Sequence, residues 1–87
     1  MIILFTNRKI EYHLNLLGEN NITLYQGSNY IEPGYNASSN KDDNLNSDVE
    51  IVSNLDNTTP GEYTITYTIG DVTKTRYVTV IEKPESQ

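Results

Sequence analysis

The residues best suited to bind an ion lie between positions 42 and 48. Asp42, Asp43, Asn44 and Asp48 offer oxygen ligands within one short stretch, and Ca²⁺ takes about six to eight such oxygens. The spacing lacks the regular alternation of a calcium loop, and no glycine makes the turn. The alternative is a solvated polar turn whose side chains bond the local backbone. Calcium at these four residues is the one cofactor that the sequence indicates, and the polar turn is the simpler interpretation.

Residues that could catalyse a reaction are few. His13 is the single histidine and the chain has no cysteine, so no second imidazole and no thiolate can complete a metal site. Asp42 and Asp43 are neighbours in one loop, whereas acid–base catalysis uses carboxylates with separated pKa values across a cleft. No nucleophile elbow or glycine-rich oxyanion turn occurs. The sequence therefore predicts no catalytic residues and a protein that is not an enzyme.

Three tyrosines are the candidates for binding a glycan or a protein partner. Tyr25, Tyr30 and Tyr35 lie near predicted turns rather than in the middle of strands. Tyr30 and Tyr35 are also suited to pack against the edge of the fold, which is the commoner fate of a large aromatic ring. A contiguous exposed apolar patch of more than roughly a few hundred Å² would favour binding.

The net charge argues against two classes of partner. The 87 residues carry a formal charge of −6. Binding to nucleic-acid phosphates depends on Lys and Arg side chains, and so does attraction to anionic lipid. We therefore expect no nucleic-acid partner, and the length allows one domain at most.

The elements that position these residues are predicted to be β-strands. Apolar residues recur at every second position rather than at helical spacing, which is typical of strands with one buried face. Strands are predicted to begin near Ile10, Ile22, Tyr35, Val49, Tyr63 and Val72. Pro33 cannot donate to a β-ladder, so the stretch around it is predicted to be an edge or a corner.

The stretch 59–69, TPGEYTITYTI, indicates the architecture. Tyr63, Ile65 and Tyr67 alternate with polar residues, and we expect them to form the structural core of a central strand. A tight turn before Gly61-x-Tyr63 matches the tyrosine corner of immunoglobulin-like sandwiches, whose tyrosine hydroxyl bonds the preceding loop. The predicted fold is all-β, an immunoglobulin-like antiparallel β-sandwich of about seven short strands.

The two ends of the chain are predicted to lie outside the domain. Residues 1–9 begin with an apolar run, which indicates the end of a signal peptide or membrane anchor, or a flexible leader; a short edge strand is the alternative. Residues 10–82 form the domain, and residues 83–87 are a linker to a following domain. Pro33, Lys74 and Arg76 are expected to protect exposed strand edges from pairing, so we expect the isolated domain to be a monomer.

Several pieces of the sequence, taken in order, carry a family resemblance. From about residue 12 to residue 81 the chain resembles bacterial immunoglobulin-like domains of cell-surface proteins and some pesticidal crystal proteins. The matching pieces are Ile22-Thr23-Leu24, Gly27-x-x-Tyr30-x-x-Pro33-Gly34, Ala37, Asp42-x-x-Leu45-x-x-x-Val49, Asp56, Pro60-Gly61-x-Tyr63-x-Ile65-x-Tyr67 and Arg76-x-Val78-x-Val80.

The resemblance implies a non-catalytic module on a bacterial cell surface or in a secreted protein. The chain departs from the family in its acidic loop, where Ser39 and Asn44 replace family acids and Asp43 replaces a turn glycine. That departure weakens any metal role for the loop. Two hypotheses follow. One is a structural spacer that presents other domains of the same chain, and the alternative is an adhesion module that binds cell-wall glycan or protein.

Overall fold

The computed structural model describes residues 9–84 and shows six strands with one 3₁₀ turn between them. A two-stranded sheet and a four-stranded sheet face each other, with strand orders β1-β3 and β2-β6-β5-β4. The fold class predicted from the sequence, an immunoglobulin-like β-sandwich, is confirmed. The elements are β1 (Tyr12–Leu16), β2 (Asn21–Tyr25), β3 (Tyr35–Ser39), the 3₁₀ turn (Asn46–Asp48), β4 (Glu50–Ser53), β5 (Gly61–Ile69) and β6 (Val72–Ile81).

Most of the residues that were predicted to lie outside the domain, at the two ends of the chain, are not among the described residues. Residues 1–8, assigned with Lys9 to an anchor or leader, and residues 85–87 of the assigned linker lie outside the described residues. Lys9 contacts the domain, because its carbonyl oxygen accepts a hydrogen bond of 3.3 Å from Asn40 Nδ2. Across residues 9–84, none of the helical structure is long and apolar enough to cross a membrane.

The β5–β6 hairpin is the longest paired unit. Its antiparallel register runs from Gly61 opposite Val80 to Ile69 opposite Val72. Gly70 makes the turn with a φ of +57°, a conformation that residues with a Cβ rarely adopt. Alternation along both strands then points one set of side chains at the other sheet and the second set at solvent.

The start of the chain passes from one sheet to the other. β1 pairs antiparallel with β3, from Tyr12 opposite Ser39 to Leu16 opposite Tyr35. Residues 17–20, the sheet-switch segment, then lead into β2, which pairs with β6 in the other sheet. The β2–β6 pairing is parallel. The sequence predicted antiparallel pairing throughout, so this pairing differs from the prediction. Local alternation predicts a strand but not the direction of a partner 56 residues away in sequence.

The core lies between the two sheets. Leu14 and Ala37 from the small sheet are buried against a cluster from the large sheet. The large sheet contributes Ile65, Tyr67, Ile69 and Val78 to that cluster. The ring centroids of Tyr35 and Tyr67 are 5.5 Å apart across the sheets, a separation typical of favourable aromatic pairs.

Candidate functional site

The most unusual feature of the core is a buried arginine. Arg76 is 0% exposed, and it occupies the inward alternate position of β6 two residues before Val78. The expectation that Arg76 protects an exposed strand edge is therefore wrong. A charged side chain is almost never fully buried without partners, so its partners define the candidate site.

Every N–H group of the Arg76 guanidinium has an acceptor. Nε donates to the Tyr67 hydroxyl at 3.1 Å. Nη1 donates to the carbonyl oxygens of Leu17 at 2.9 Å and Glu19 at 2.5 Å. Nη2 donates to Glu32 Oε2 at 3.2 Å and to the Gly34 carbonyl at 3.1 Å. A guanidinium has five N–H donors, so this one retains no donor for a ligand.

The Glu32 carboxylate is equally well bonded. Oε1 accepts from the Tyr30 hydroxyl at 3.1 Å and from the Tyr67 hydroxyl. Oε2 accepts from the Gly34 backbone N–H at 2.8 Å and from Arg76. Glu32 precedes Pro33 in the predicted corner, and Gly34 follows with a φ of +109°, which turns the chain back onto the carboxylate. Arg76, Glu32, Tyr67 and Tyr30 together are named here the Arg76 cluster.

The ionisation of the Arg76 cluster favours the ion pair. Burial raises the pKa of the Glu32 carboxyl, but the hydrogen bonds from Tyr67, Gly34 and Tyr30 and the charge of Arg76 outweigh burial, so that its pKa lies below the ordinary value. Burial lowers the pKa of Arg76, and its contacts with Tyr67 and Glu32 outweigh that effect and raise the pKa. Burial is the main cause that raises the pKa of Tyr67 and of Tyr30. Both tyrosines therefore stay neutral donors beside a carboxylate.

Acidification is expected to weaken the domain through Glu32. Because the folded-state pKa of this carboxyl is below its ordinary value of 4.5, the stabilisation is present above that value. It is lost as the pH falls through the folded-state pKa, where the native ion pair takes up a proton. The measurement is the urea midpoint of the wild type and of Glu32→Gln across that range. The gap between the two proteins should shrink in acid, and a gap independent of pH would contradict the prediction.

The chemistry open to this cluster is structural. The side chain of Glu32 is 33% exposed, but its oxygens and the guanidinium are occupied by internal bonds. The cluster connects β6, the sheet-switch segment and the corner at residues 30–34. In the described residues every buried side-chain nitrogen and oxygen has a hydrogen-bond partner.

The three tyrosines proposed for binding do not form one surface. Tyr25 is 50% exposed on the outer face of β2. Tyr30 is half-buried and bonds Glu32, and Tyr35 is half-buried against Tyr67. The exposed aromatic ring that sequence reasoning passed over is Tyr77, which is 52% exposed on β6. The alternation along β6 could have predicted this exposure. Tyr77 lies between Arg76 and Val78, which face inward, so its own side chain faces outward.

The loop proposed for calcium bonds its own backbone. Asp42 Oδ1 accepts from the Asn44 N–H at 3.0 Å, and Asn44 Oδ1 accepts from the Asn46 N–H at 3.2 Å. Asp43 is exposed, and Asp48 ends the 3₁₀ turn. Among residues 9–84 there is no group of three or more acidic, histidine or cysteine side chains that could hold a metal ion. Ca²⁺ also takes amide, backbone and water oxygens, so calcium at this loop stays a prediction.

The core strand β5 begins with a tyrosine corner. The Tyr63 hydroxyl donates to the carbonyl oxygen of Thr59 at 2.6 Å, and the ring is half-buried. Ile65 and Tyr67 follow on the same face and are 3% and 0% exposed. The loop before the corner is held by Asp56, which accepts from the N–H and the hydroxyl of Thr58. These bonds lower the pKa of Asp56.

Removing the corner hydroxyl is expected to weaken the domain modestly. Tyr63→Phe loses one hydrogen bond to a loop carbonyl, and such a bond contributes about 1 kcal/mol. Tyr77→Phe is the matched control, since this ring lies on the outer face and is 52% exposed. Urea unfolding of both variants checks the prediction. Equal midpoints for the two variants would show that the corner bond contributes nothing.

The fold and the corner together define an immunoglobulin-like sandwich of the kind that serves as a module in larger proteins. Residues 14–80 match the family described as bacterial surface protein, Ig-like domain, and the chain belongs to that family. Domains of this family are generally non-catalytic. No curated protein matches the chain.

One solved structure supports the same assignment. The chain is similar to the lipoprotein BT2262 from Bacteroides thetaiotaomicron, with a TM-score of 0.73 and 31% sequence identity. The similarity covers 86% of this chain and 40% of that lipoprotein. The chain thus spans less than half the length of the lipoprotein it resembles.

Proposed function

We propose that this domain is a non-catalytic spacer in a bacterial protein that is exposed at the cell surface or secreted. The observation that supports the proposal is that β1 starts and β6 ends at opposite ends of the sandwich. Tyr12, at the start of β1, lies against the Gly70 turn, where a Cβ would overlap its ring. Ile81, at the end of β6, pairs with Tyr25 at the opposite end of the sandwich.

This geometry separates whatever precedes the domain from whatever follows it. β6 has 10 residues between the turn and the exit, and strands rise about 3.3 Å per residue, so the two ends are about 30 Å apart. The Arg76 cluster fixes the relative position of the two sheets. A rigid domain that the chain enters at one end and leaves at the other is consistent with a module of a larger surface protein, which is the location that the family implies.

Tandem copies test the spacer. One, two and three copies joined by residues 82–87 are expected to increase in maximum dimension by about 30 Å or more per copy in small-angle scattering. The control is the same series joined by a long glycine–serine linker, which should be more flexible. If the maximum dimension of the native-linker series grows no faster than that of a compact globule, the spacer proposal fails.

An adhesion module is the second candidate, favoured by the outer face of the large sheet. Tyr25 and its partner Ile81 are 50% and 39% exposed, and Tyr77 lies on the same face. Aromatic and aliphatic side chains of this kind suit the flat face of a sugar or a protein partner. Titration with cell-wall fragments, followed by amide shifts, tests it. Shifts at Tyr25, Tyr77 and Ile81 that disappear in Tyr25→Ala would favour adhesion over the spacer.

A further inference from the structure

One edge of the large sheet is open. β4 is the terminal strand of that sheet, and among residues 9–84 the only strand paired with it is β5. Every residue of β4 is exposed, which holds for no other strand in the described part of the chain. Ile51 and Val52 are 43% and 62% exposed although both side chains are aliphatic. An exposed apolar strand at the edge of a sheet is a template for pairing with another chain.

The devices that commonly protect a sheet edge do not occur on β4. Edge strands avoid pairing by means of lysine, proline or a bulge. β4 has the sequence Glu-Ile-Val-Ser, and its register with β5 has no interruption. Pro33 lies in the corner, and Lys74 and Arg76 lie on β6. The reason that the sequence offers for a monomer therefore does not apply to this edge.

The hydrogen bonds at the end of β4 show which of its backbone groups point away from β5. The Asn54 N–H donates to the Thr64 carbonyl at 3.4 Å, and the Thr64 N–H donates to Asn54 Oδ1 at 2.9 Å. Bonded positions alternate along an antiparallel pair, so Val52 also bonds to β5. The N–H and C=O groups of Ile51 and Ser53 therefore point towards the open side.

A second copy of β4 satisfies these groups if it runs antiparallel about a two-fold axis at Val52. Ile51 of each copy then lies opposite Ser53 of the other copy, and the two residues exchange both backbone bonds. The neighbouring symmetric registers would need the N–H of Val49 or of Leu55, and both groups already donate within their own chain. The backbone therefore favours one register.

The same register brings compatible side chains together. The Val52 side chains of the two copies meet on the outer face, and the two Ile51 side chains become diagonal neighbours on the inner face. Glu50 lies opposite Asn54 of the second copy, so no like charges are directly opposed. The formal charge of −6 on each copy opposes association. Added salt is therefore expected to strengthen the pairing.

We propose that β4 is a docking strand for a second copy of this domain, and that the pairing joins the two four-stranded sheets into one continuous sheet. A strand of four residues buries less than the roughly 1,000 Å² expected of a stable specific complex. One pair is therefore weak, and several copies in one chain would bind together much more tightly. The inference goes beyond the spacer function and does not depend on it.

The two-fold axis determines the direction of the partner. Antiparallel pairing places the entry end of one copy beside the exit end of the other. Copies that extend from one surface run in the same direction, whereas copies that extend from two facing surfaces run in opposite directions. The partner that this edge fits is therefore the same domain presented from a facing surface.

Disulfide cross-linking tests the register. The chain has no cysteine, so Val52→Cys introduces one thiol, which would meet its counterpart across the axis. Directly opposed residues of this kind have Cα atoms about 4.5 Å apart, a separation that a disulfide can span. Two controls match it: Thr23→Cys is exposed on the other terminal strand, and Glu50→Cys lies opposite Asn54 of the second copy. We expect the Val52→Cys dimer to form at least about tenfold faster than either control dimer. Equal rates would overturn the proposal.

Sedimentation equilibrium of the full chain tests the pairing without a cross-link. Val52→Lys places two like charges on the axis, and we expect it to raise the dissociation constant of the dimer at least about tenfold. Thr23→Lys should leave that constant unchanged. Both residues are exposed, so the urea midpoints of the two variants should equal that of the wild type. A wild type that stays monomeric at every concentration, or a dimer that Val52→Lys does not weaken, would overturn the proposal.

Clustering of beads tests the direction of the partner. Beads that carry tandem copies attached through the C-terminal end are expected to cluster, because copies on two beads face each other. Beads that carry tandem copies of Val52→Lys should stay dispersed, and those with Thr23→Lys should cluster like the wild type. Wild-type beads that stay dispersed would overturn the assignment to facing surfaces, even if the Val52→Cys dimer forms in solution.

Discussion

Replacing Arg76 by methionine is expected to lower the free energy of unfolding by about 3 kcal/mol, because removing one partner of a buried ion pair costs about 3 to 5 kcal/mol. We take the lower end because the remaining partner, Glu32, is 33% exposed and can recover some hydration. The change also removes the Arg76 donors of the Leu17 and Glu19 carbonyls and leaves the Gly34 carbonyl with the Leu17 N–H as its donor. A domain of this size has modest stability, so the loss is a large part of the total.

Lys74→Met provides the matched control for this change. Lys74 lies two residues earlier on the same strand and is exposed, so we expect its replacement to change stability by less than about 0.5 kcal/mol. Chemical denaturation of both variants gives the comparison. If Arg76→Met unfolds at the same urea concentration as Lys74→Met, the cluster does not stabilise the domain in the way described. Arg76→Lys should fall between the two.

Gly70→Ala is the second change expected to have a large effect, about 2 to 3 kcal/mol, from two causes acting together. The backbone at Gly70 has a φ of +57°, which is unfavourable for a residue with a Cβ. The added Cβ would also overlap the ring of Tyr12, which packs against the core. The ring must move, and β1 would lose part of its contact with the β5–β6 turn. Thermal and urea unfolding measure the loss.

Gly27→Ala separates the two causes. Gly27 has a φ of +86°, but a Cβ there would meet nothing within 4 Å. Its replacement should therefore show the backbone cost alone, about 1 kcal/mol. Tyr12→Ala combined with Gly70→Ala should give less destabilisation than the sum of the single changes, because the overlap is gone. Equal losses for Gly70→Ala and Gly27→Ala would rule out a contribution from the Tyr12 contact.

The sequence contains enough information for the strands of this fold and for one of its corners. Alternation at Tyr63, Ile65 and Tyr67 places them on one face, and the turn before Gly61 indicates the hydroxyl bond that the structure has. These are local signals, because the side-chain direction in a strand has a period of two. The direction of β2 relative to β6 is not local, and only packing of the whole chain determines it.

The Arg76 cluster shows a signal that was present and misinterpreted. Arg76 alternates in phase with Val78 and Val80, so the pattern already placed it inward. Charged residues are usually exposed, but at Arg76 the phase of the alternation, and not the charge, indicates the correct location. Glu32, its partner, lies 44 residues away. Its pairing depends on the corner at Pro33 and Gly34, whose geometry a single sequence does not specify.

The location of the entry and the exit at opposite ends has an evolutionary consequence. Duplicating or deleting a whole copy of such a domain would leave the direction of the polypeptide unchanged on both sides of the event. In the proposed spacer function, recombination between repeated copies would therefore change the distance between the flanking domains in discrete increments, without changes to the interior of any copy. Domains whose termini lie close together lack this property, because each additional copy adds little to the distance between the flanking domains.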